Sequence, residues 1–168
     1  MPLSSSSLNH FRDIVASEPE AVSYMKGGPY NPSINGKVFF YKTETGTFVA
    51  ADISGLPESA CGIFGFHIHE GGSCTGNETD PFYDTGGHYN PSGSEHPCHA
   101  GDMPPLFSNS GHAFMVFLTN RFTAKDIIGH TVVIHSKPDD FITQPSGNSG
   151  TKIACGTIYP FNSYYPVS

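Results

Sequence analysis

Basic residues are scarce in this chain: 8 lysines and arginines stand against 15 aspartates and glutamates in 168 residues, a formal charge of -7. The eight are scattered as Arg12, Lys26, Lys37, Lys42, Arg121, Lys125, Lys137 and Lys152. The cationic stripe that nucleic acid or an acidic membrane requires is therefore missing. Long apolar runs are missing too. No stretch approaches the ~18 consecutive apolar residues of a spanning helix, and no basic leader precedes an apolar run ending in small residues, so neither a transmembrane nor a secretory segment is expected. The length suits one compact domain with a core of useful size and leaves no room for a second.

Glycine (19) and proline (14) together make up about a fifth of the chain, alongside 13 phenylalanines and 8 tyrosines. That mixture suits short strands and long turns rather than a helical bundle. Residues 1–19 read as an N-terminal arm, with Leu8, Phe11, Ile14 and Val15 spaced for a turn or two of amphipathic helix. Residues 20–168 read as the domain. Period-two, β-branched and aromatic segments are expected at 21–25, 37–43, 47–53, 62–69, 105–108, 112–118, 130–135 and 152–159, with Glu44-Thr45-Gly46 marking a hairpin. Two polar stretches interrupt them, one from Glu70 to about Met103 and one from Lys137 to Thr151. Loops of that length are functional or disordered. The expected architecture is all-β, eight antiparallel strands in two face-to-face sheets.

Five of the nine histidines fall between His67 and His99. His67 and His69 sit two apart in a strand, so their imidazoles emerge on one face while Ile68 points the other way. Taken alone, such a pair is as compatible with hydrogen bonding to water as with metal. The following loop adds His88, His96, His99 and Asp102 within fifteen residues, the inventory of a closed tetrahedral zinc site. His135 ends a separate strand, and beside His67, His69 and His88 it completes an all-imidazole set suited to copper. His10, His112 and His130 lack partners in this pattern and read as structural or exposed. Asn77-Glu78-Thr79 is a glycosylation triplet of a kind frequent by chance.

The runs Gly65 to Glu70 (GFHIHE), Gly87 to Pro91 (GHYNP), His99 to Asp102 (HAGD), Gly129 to His135 (GHTVVIH) and Gly147 to Gly156 (GNSGTKIACG) resemble, in order, the signatures of copper,zinc superoxide dismutases. The likeness extends from about residue 20 to 160. It implies an immunoglobulin-like Greek-key sandwich or flattened barrel with two long functional loops, and an enzyme that converts superoxide to dioxygen and hydrogen peroxide. It implies copper on His67, His69, His88 and His135, and zinc on His88, His96, His99 and Asp102, with His88 bridging. Asp139 matches the carboxylate that ties a copper histidine to a zinc histidine. His88 and Lys152 occupy the family's catalytic positions. Lys152 replaces the usual arginine, which keeps the charge but loses the planar fork, so weaker anchoring of superoxide is expected. The loop before it carries no Glu or Lys between Asp140 and Lys152, so steering of the anion is expected to be reduced.

The resemblance also implies a disulfide between Cys74 and Cys155. Cys61 and Cys98 are additional: they form a second bridge clamping the zinc loop, or remain buried thiols, or Cys98 ligates zinc. Paired cysteines favour an oxidising or extracytoplasmic compartment. Superoxide is then the expected partner and a homodimer a candidate assembly, without nucleic acid or membrane insertion. Two other readings stay open on the residues alone: a copper- and zinc-binding domain without useful turnover, and a structural sandwich with surface histidines.

Overall fold

The computed structural model describes residues 12–14, 16–59 and 61–163. Of the expected N-terminal helix, residues 12–14 and 16 are helical, while Leu8, Phe11 and Val15 lie outside the described residues. Among the described residues nine strands follow: β1 (Ala21–Gly27), β2 (Asn35–Lys42), β3 (Thr47–Ser54), β4 (Ile63–Phe64), β5 (Phe66–His69), β6 (Leu106–Phe107), β7 (Ala113–Thr119), β8 (Thr131–His135) and β9 (Lys152–Pro160). Seven form one antiparallel sheet in the order β5-β8-β9-β1-β2-β3-β7, and β4 pairs with β6 in a small second sheet. No helix among the described residues is long and apolar enough to cross a membrane.

Laid flat, β5 and β7 would sit roughly 29 Å apart at the usual ~4.8 Å strand spacing. They do not: Phe66 and Ile68 of β5 share one buried cluster with Val38 and Phe40 of β2, Val49 and Ala51 of β3, Ala113 of β7, Val132 and Ile134 of β8, and Ile158 of β9. The sheet curls so that alternate residues of every strand face one interior, and burial of those side chains is the main driving force for closure. The Greek-key flattened barrel is thus present as one curled sheet with a small companion.

The ninth strand comes from Gly65, where the single expected strand at 62–69 divides. The Gly65 N–H donates to Lys137 O (2.8 Å) in the second long loop rather than to a strand neighbour. β4 then pairs with β6 (Ile63 opposite Phe107), while β5 pairs with β8 (Phe66 opposite Ile134). A tight turn at Asn109-Ser110-Gly111 joins β6 to β7, with Ser110 and Gly111 at φ 52° and 82° and reciprocal bonds between Asn109 and His112. Two left-handed central residues are what a tight hairpin turn needs.

Cys74 in the first long loop is bonded to Cys155 in β9, with Cα atoms 5.7 Å apart. Beside them pack Phe82 and Val133, so this loop is stapled to the outer face of the sheet. Cys61 and Cys98 are both free and exposed, so the second bridge does not form and neither is a buried thiol. Thiol titration without reductant should find two reactive groups, in native and in denatured protein. Replacing Cys74 and Cys155 by serine should lower unfolding free energy by up to about 4 kcal/mol, the chain-entropy value for a closed loop of this size, measured by urea unfolding.

Candidate metal centre

Alternation on β5 sends Phe66 and Ile68 into the barrel core and turns His67 and His69 outward. On β8, Val132 and Ile134 do the same while His135 faces out beside them. These outward histidines are nevertheless buried, because the first long loop lies along the free edge of β5. Ile68 N–H donates to Gly101 O (2.9 Å), and Tyr89 N–H donates to Ile68 O (2.8 Å). Isolated bridges set Asp102 opposite His67 and His88 opposite His69. Gly101 permits the approach: a Cβ there would collide with Ile68 O. An edge strand otherwise left unpaired thereby carries the loop residues to the site.

Two groups of four potential ligands result, His67, His69, His88 and His135, and His88, His96, His99 and Asp102, each with its ligand atoms within 4.8 Å of one another. All seven residues are buried. His88 belongs to both groups. Its Nδ1 lies 2.7 Å from Asp102 Oδ1, and its Nε2 is buried without a hydrogen-bond partner among the described residues.

Hydrogen bonds around the site fix which nitrogens carry protons. A carboxylate can only accept, so His67 Nε2–H donates to Asp139 Oδ2 (2.8 Å) and His96 Nε2–H donates to Asp139 Oδ1 (2.9 Å). The Phe141 backbone N–H adds a third bond to Oδ1 (2.7 Å). The Nδ1 atoms of His67 and His96 are left as lone pairs, and both are buried without a hydrogen-bond partner among the described residues. Likewise His69 Nδ1–H donates to Gly86 O (2.9 Å) and His135 Nδ1–H to Gly150 O (3.4 Å), which leaves their two Nε2 lone pairs facing each other at 3.1 Å. His96 Nδ1 similarly faces Asp102 Oδ2 at 3.1 Å. Acceptor facing acceptor, out of water, is unfavourable unless a cation lies between them. The donor sets fit the two metals: four imidazole nitrogens suit copper, and three with a carboxylate suit tetrahedral zinc.

Electrostatics point the same way. Burial, with the neighbouring His135 and His88, holds His69 well below the ordinary imidazole value, and burial, with His67 and His88, does so for His135. His67 is also lowered, burial outweighing the Asp139 hydrogen bond that acts in the opposite sense. Neutral imidazole is the form that binds metal. Burial opposes ionisation of Asp139, yet the bonds from His67, Phe141 and His96 overcome it and bring its carboxyl down to about 2. Burial likewise opposes ionisation of Asp102, but hydrogen bonding and charge from His88, with His99 and His96, lower it.

A cleft of about 600 Å³ opens above His69, His88 and His135, and Lys152 lines it. The Lys152 ammonium donates to Asp80 Oδ2 and Phe82 O, both at 3.0 Å. Three supporting residues were not legible beforehand. Asp80 is one. Arg121 donates to the carbonyls of Pro97 (2.9 Å), His99 (3.2 Å) and Asp102 (3.2 Å), holding the backbone that carries the second group. Gln144 exchanges two bonds with the backbone of His96 (3.0 and 2.6 Å). No motif flags them, since Arg121 and Gln144 act on backbone, and Asp80 on a side chain, far away in sequence. Of the histidines left without a role, His112 pairs with Asp52 on the surface and His130 donates to Glu70 O (2.7 Å); His10 lies outside the described residues.

A family model for copper/zinc superoxide dismutase matches residues 34–158. The chain is 36% identical over 138 residues to "Superoxide dismutase [Cu-Zn] 2" of Aquifex aeolicus, an alignment covering 73% of this chain and 78% of that protein. It is 32% identical over 147 residues to "Superoxide dismutase [Cu-Zn]" of Deinococcus radiodurans, covering 77% and 79% respectively.

Asp139→Asn keeps the shape but puts an NH2 donor against one of two ring N–H groups, so affinity at both sites should fall about 10- to 100-fold in chelator competition. The pH dependence of the metal-free protein follows from the shifts. The lowered histidines make the unfolded chain bind more protons as pH drops below its ordinary imidazole value near 6.5, so stability falls from there. Asp139 contributes stability above its unfolded value of 3.8 that is lost as pH falls toward about 2. Urea midpoints of metal-free protein should therefore decline between pH 7 and 5 and again below 4, and metal-loaded protein should resist the first decline.

Proposed function

The chain belongs to the copper/zinc superoxide dismutase family, an oxidoreductase family using copper and zinc, and on that premise we propose a residue-by-residue assignment of its reaction. His67, His69, His88 and His135 hold copper, His88, His96, His99 and Asp102 hold zinc, and His88 is shared. The observation that carries this reading is the position of His88 in both four-residue groups, with one ring nitrogen against Asp102 and the other buried without a hydrogen-bond partner among the described residues.

When bound, copper supplies the one-electron exchange with superoxide, and zinc, which does not change valence, supplies fixed positive charge. Two superoxide anions and two protons become one dioxygen and one hydrogen peroxide. One superoxide loses an electron and the other gains it. His88 Nε2 takes up a proton in the first half of the cycle and releases it to the reduced oxygen species in the second, while Nδ1 stays fixed on the side of Asp102. The second proton comes from solvent through the cleft. Asp139 keeps protons on the Nε2 atoms of His67 and His96, so their Nδ1 lone pairs stay available throughout. The carbonyls of Gly86 and Gly150 do the same for the far nitrogens of His69 and His135. Lys152 gives the cleft a cation for the incoming anion.

Elemental analysis of purified, metal-loaded protein should find one copper and one zinc per chain. Pulse radiolysis should then show dismutation that disappears with copper removal. A rate no faster than that of metal-free protein would reject the assignment in favour of a metal-binding domain without turnover. Lys152→Ala should lower kcat/KM roughly 10-fold at low salt, and Lys152→Arg should hold or raise it, since removing a local charge from a cleft changes anion capture on this scale.

A further inference from the structure

The cleft above His69, His88 and His135 carries three ionic side chains other than histidine among its lining residues: Glu70, Asp80 and Lys152. For a site that must admit an anion, two carboxylates and one ammonium are an adverse set. Asp80 stands out because it contacts the cation directly. Its Oδ2 accepts from Lys152 Nζ at 3.0 Å, with both side chains mostly shielded from water (15% exposed for Lys152, 33% for Asp80).

Asp80 is not a surface acid that Lys152 happens to meet. Its backbone N–H donates to Asn77 Oδ1 (2.9 Å), and its own Oδ1 accepts from Phe82 N–H (3.0 Å). Both bonds orient the carboxylate from within its own loop. The Cys74–Cys155 disulfide ties that loop to β9, whose first residue is Lys152. Oδ2 is therefore held at the ammonium before any anion arrives. A close ion pair presents a dipole to the solvent, and its field decays faster with distance than that of the free cation.

We propose that Asp80 sets the rate of anion capture by masking Lys152: it is a positioning and charge-balancing residue that acts through the lysine and does not touch the reacting atoms. The proposal rests on reading this cleft as the superoxide site. Lys152 keeps a second acceptor, Phe82 O at 3.0 Å, so loss of the Asp80 charge leaves the ammonium anchored. Asp80 is then a counterweight whose removal unmasks the cation.

The variant Asp80→Asn, prepared with both metals, tests this by two readouts. Pulse radiolysis should show kcat/KM raised about 2- to 5-fold at low ionic strength, with a steeper fall as salt is added. Optical titration with azide, a monovalent anion probe, should show binding tightened by a similar factor at unchanged copper and zinc content. In a Lys152→Gln background the same change should leave azide binding within about twofold. Unchanged or weakened azide binding in Asp80→Asn, an unaltered salt dependence, or an equal gain in both backgrounds would overturn the proposal. Asp80→Ser serves the same comparison if Asp80→Asn does not fold. Wild-type protein that binds azide but does not dismutate would sink the functional reading instead, and the azide series would still decide the role of Asp80.

Discussion

Six imidazoles and two carboxylates packed out of water are tolerable only if each ring proton has an acceptor and each inward lone pair has a use. Asp139 meets the first condition for two rings at once, accepting from His67 and His96 and receiving the Phe141 amide as well. The carbonyls of Gly86 and Gly150 meet it for His69 and His135. Every one of these bonds is made on the outer side of the cluster, so the unshared pairs converge inward. A cluster arranged in this way is poised for cations and costly without them, because the pairs are buried and no protein donor among the described residues satisfies them.

The surrounding fold follows from that demand. A curled sheet supplies two rigid strands, β5 and β8, whose inner residues are fixed in the core and whose outer residues present three histidines. The remaining ligands come from a loop that would gain little by folding alone. It is held by backbone pairing to the edge of β5, by the disulfide to β9, by Arg121 on three of its carbonyls and by Gln144 on His96. The second loop closes over the site through Asp139. A Cβ on Gly147 would collide with the Asp139 carboxylate, and its φ of 67° is one that glycine adopts without strain. Loops this long persist in fixed form only when such contacts offset their ordering entropy.

Much of this was legible in the residues. Strand alternation placed His67 with His69 and opposite to Ile68, and the crowding of His88, His96, His99 and Asp102 marked the second group. The β strands matched their segments within a few residues. What escaped was non-local. Gly65 divides a strand because its N–H goes to Lys137, seventy-two positions away, which no local pattern encodes. Arg121, Gln144 and Asp80 act through backbone carbonyls and one ion pair across the fold, so their types and neighbours carry no signature. Cys61 and Cys98 were candidates for a bridge by number and position, and the geometry leaves both at the surface.

The central claim is that one ring lies between two metals of different kind, and diffraction tests it directly. Crystals grown with copper and zinc, measured on either side of each absorption edge, should show copper beside His88 Nε2 and zinc beside His88 Nδ1. A map in which that ring touches a single ion, or none, would contradict the account.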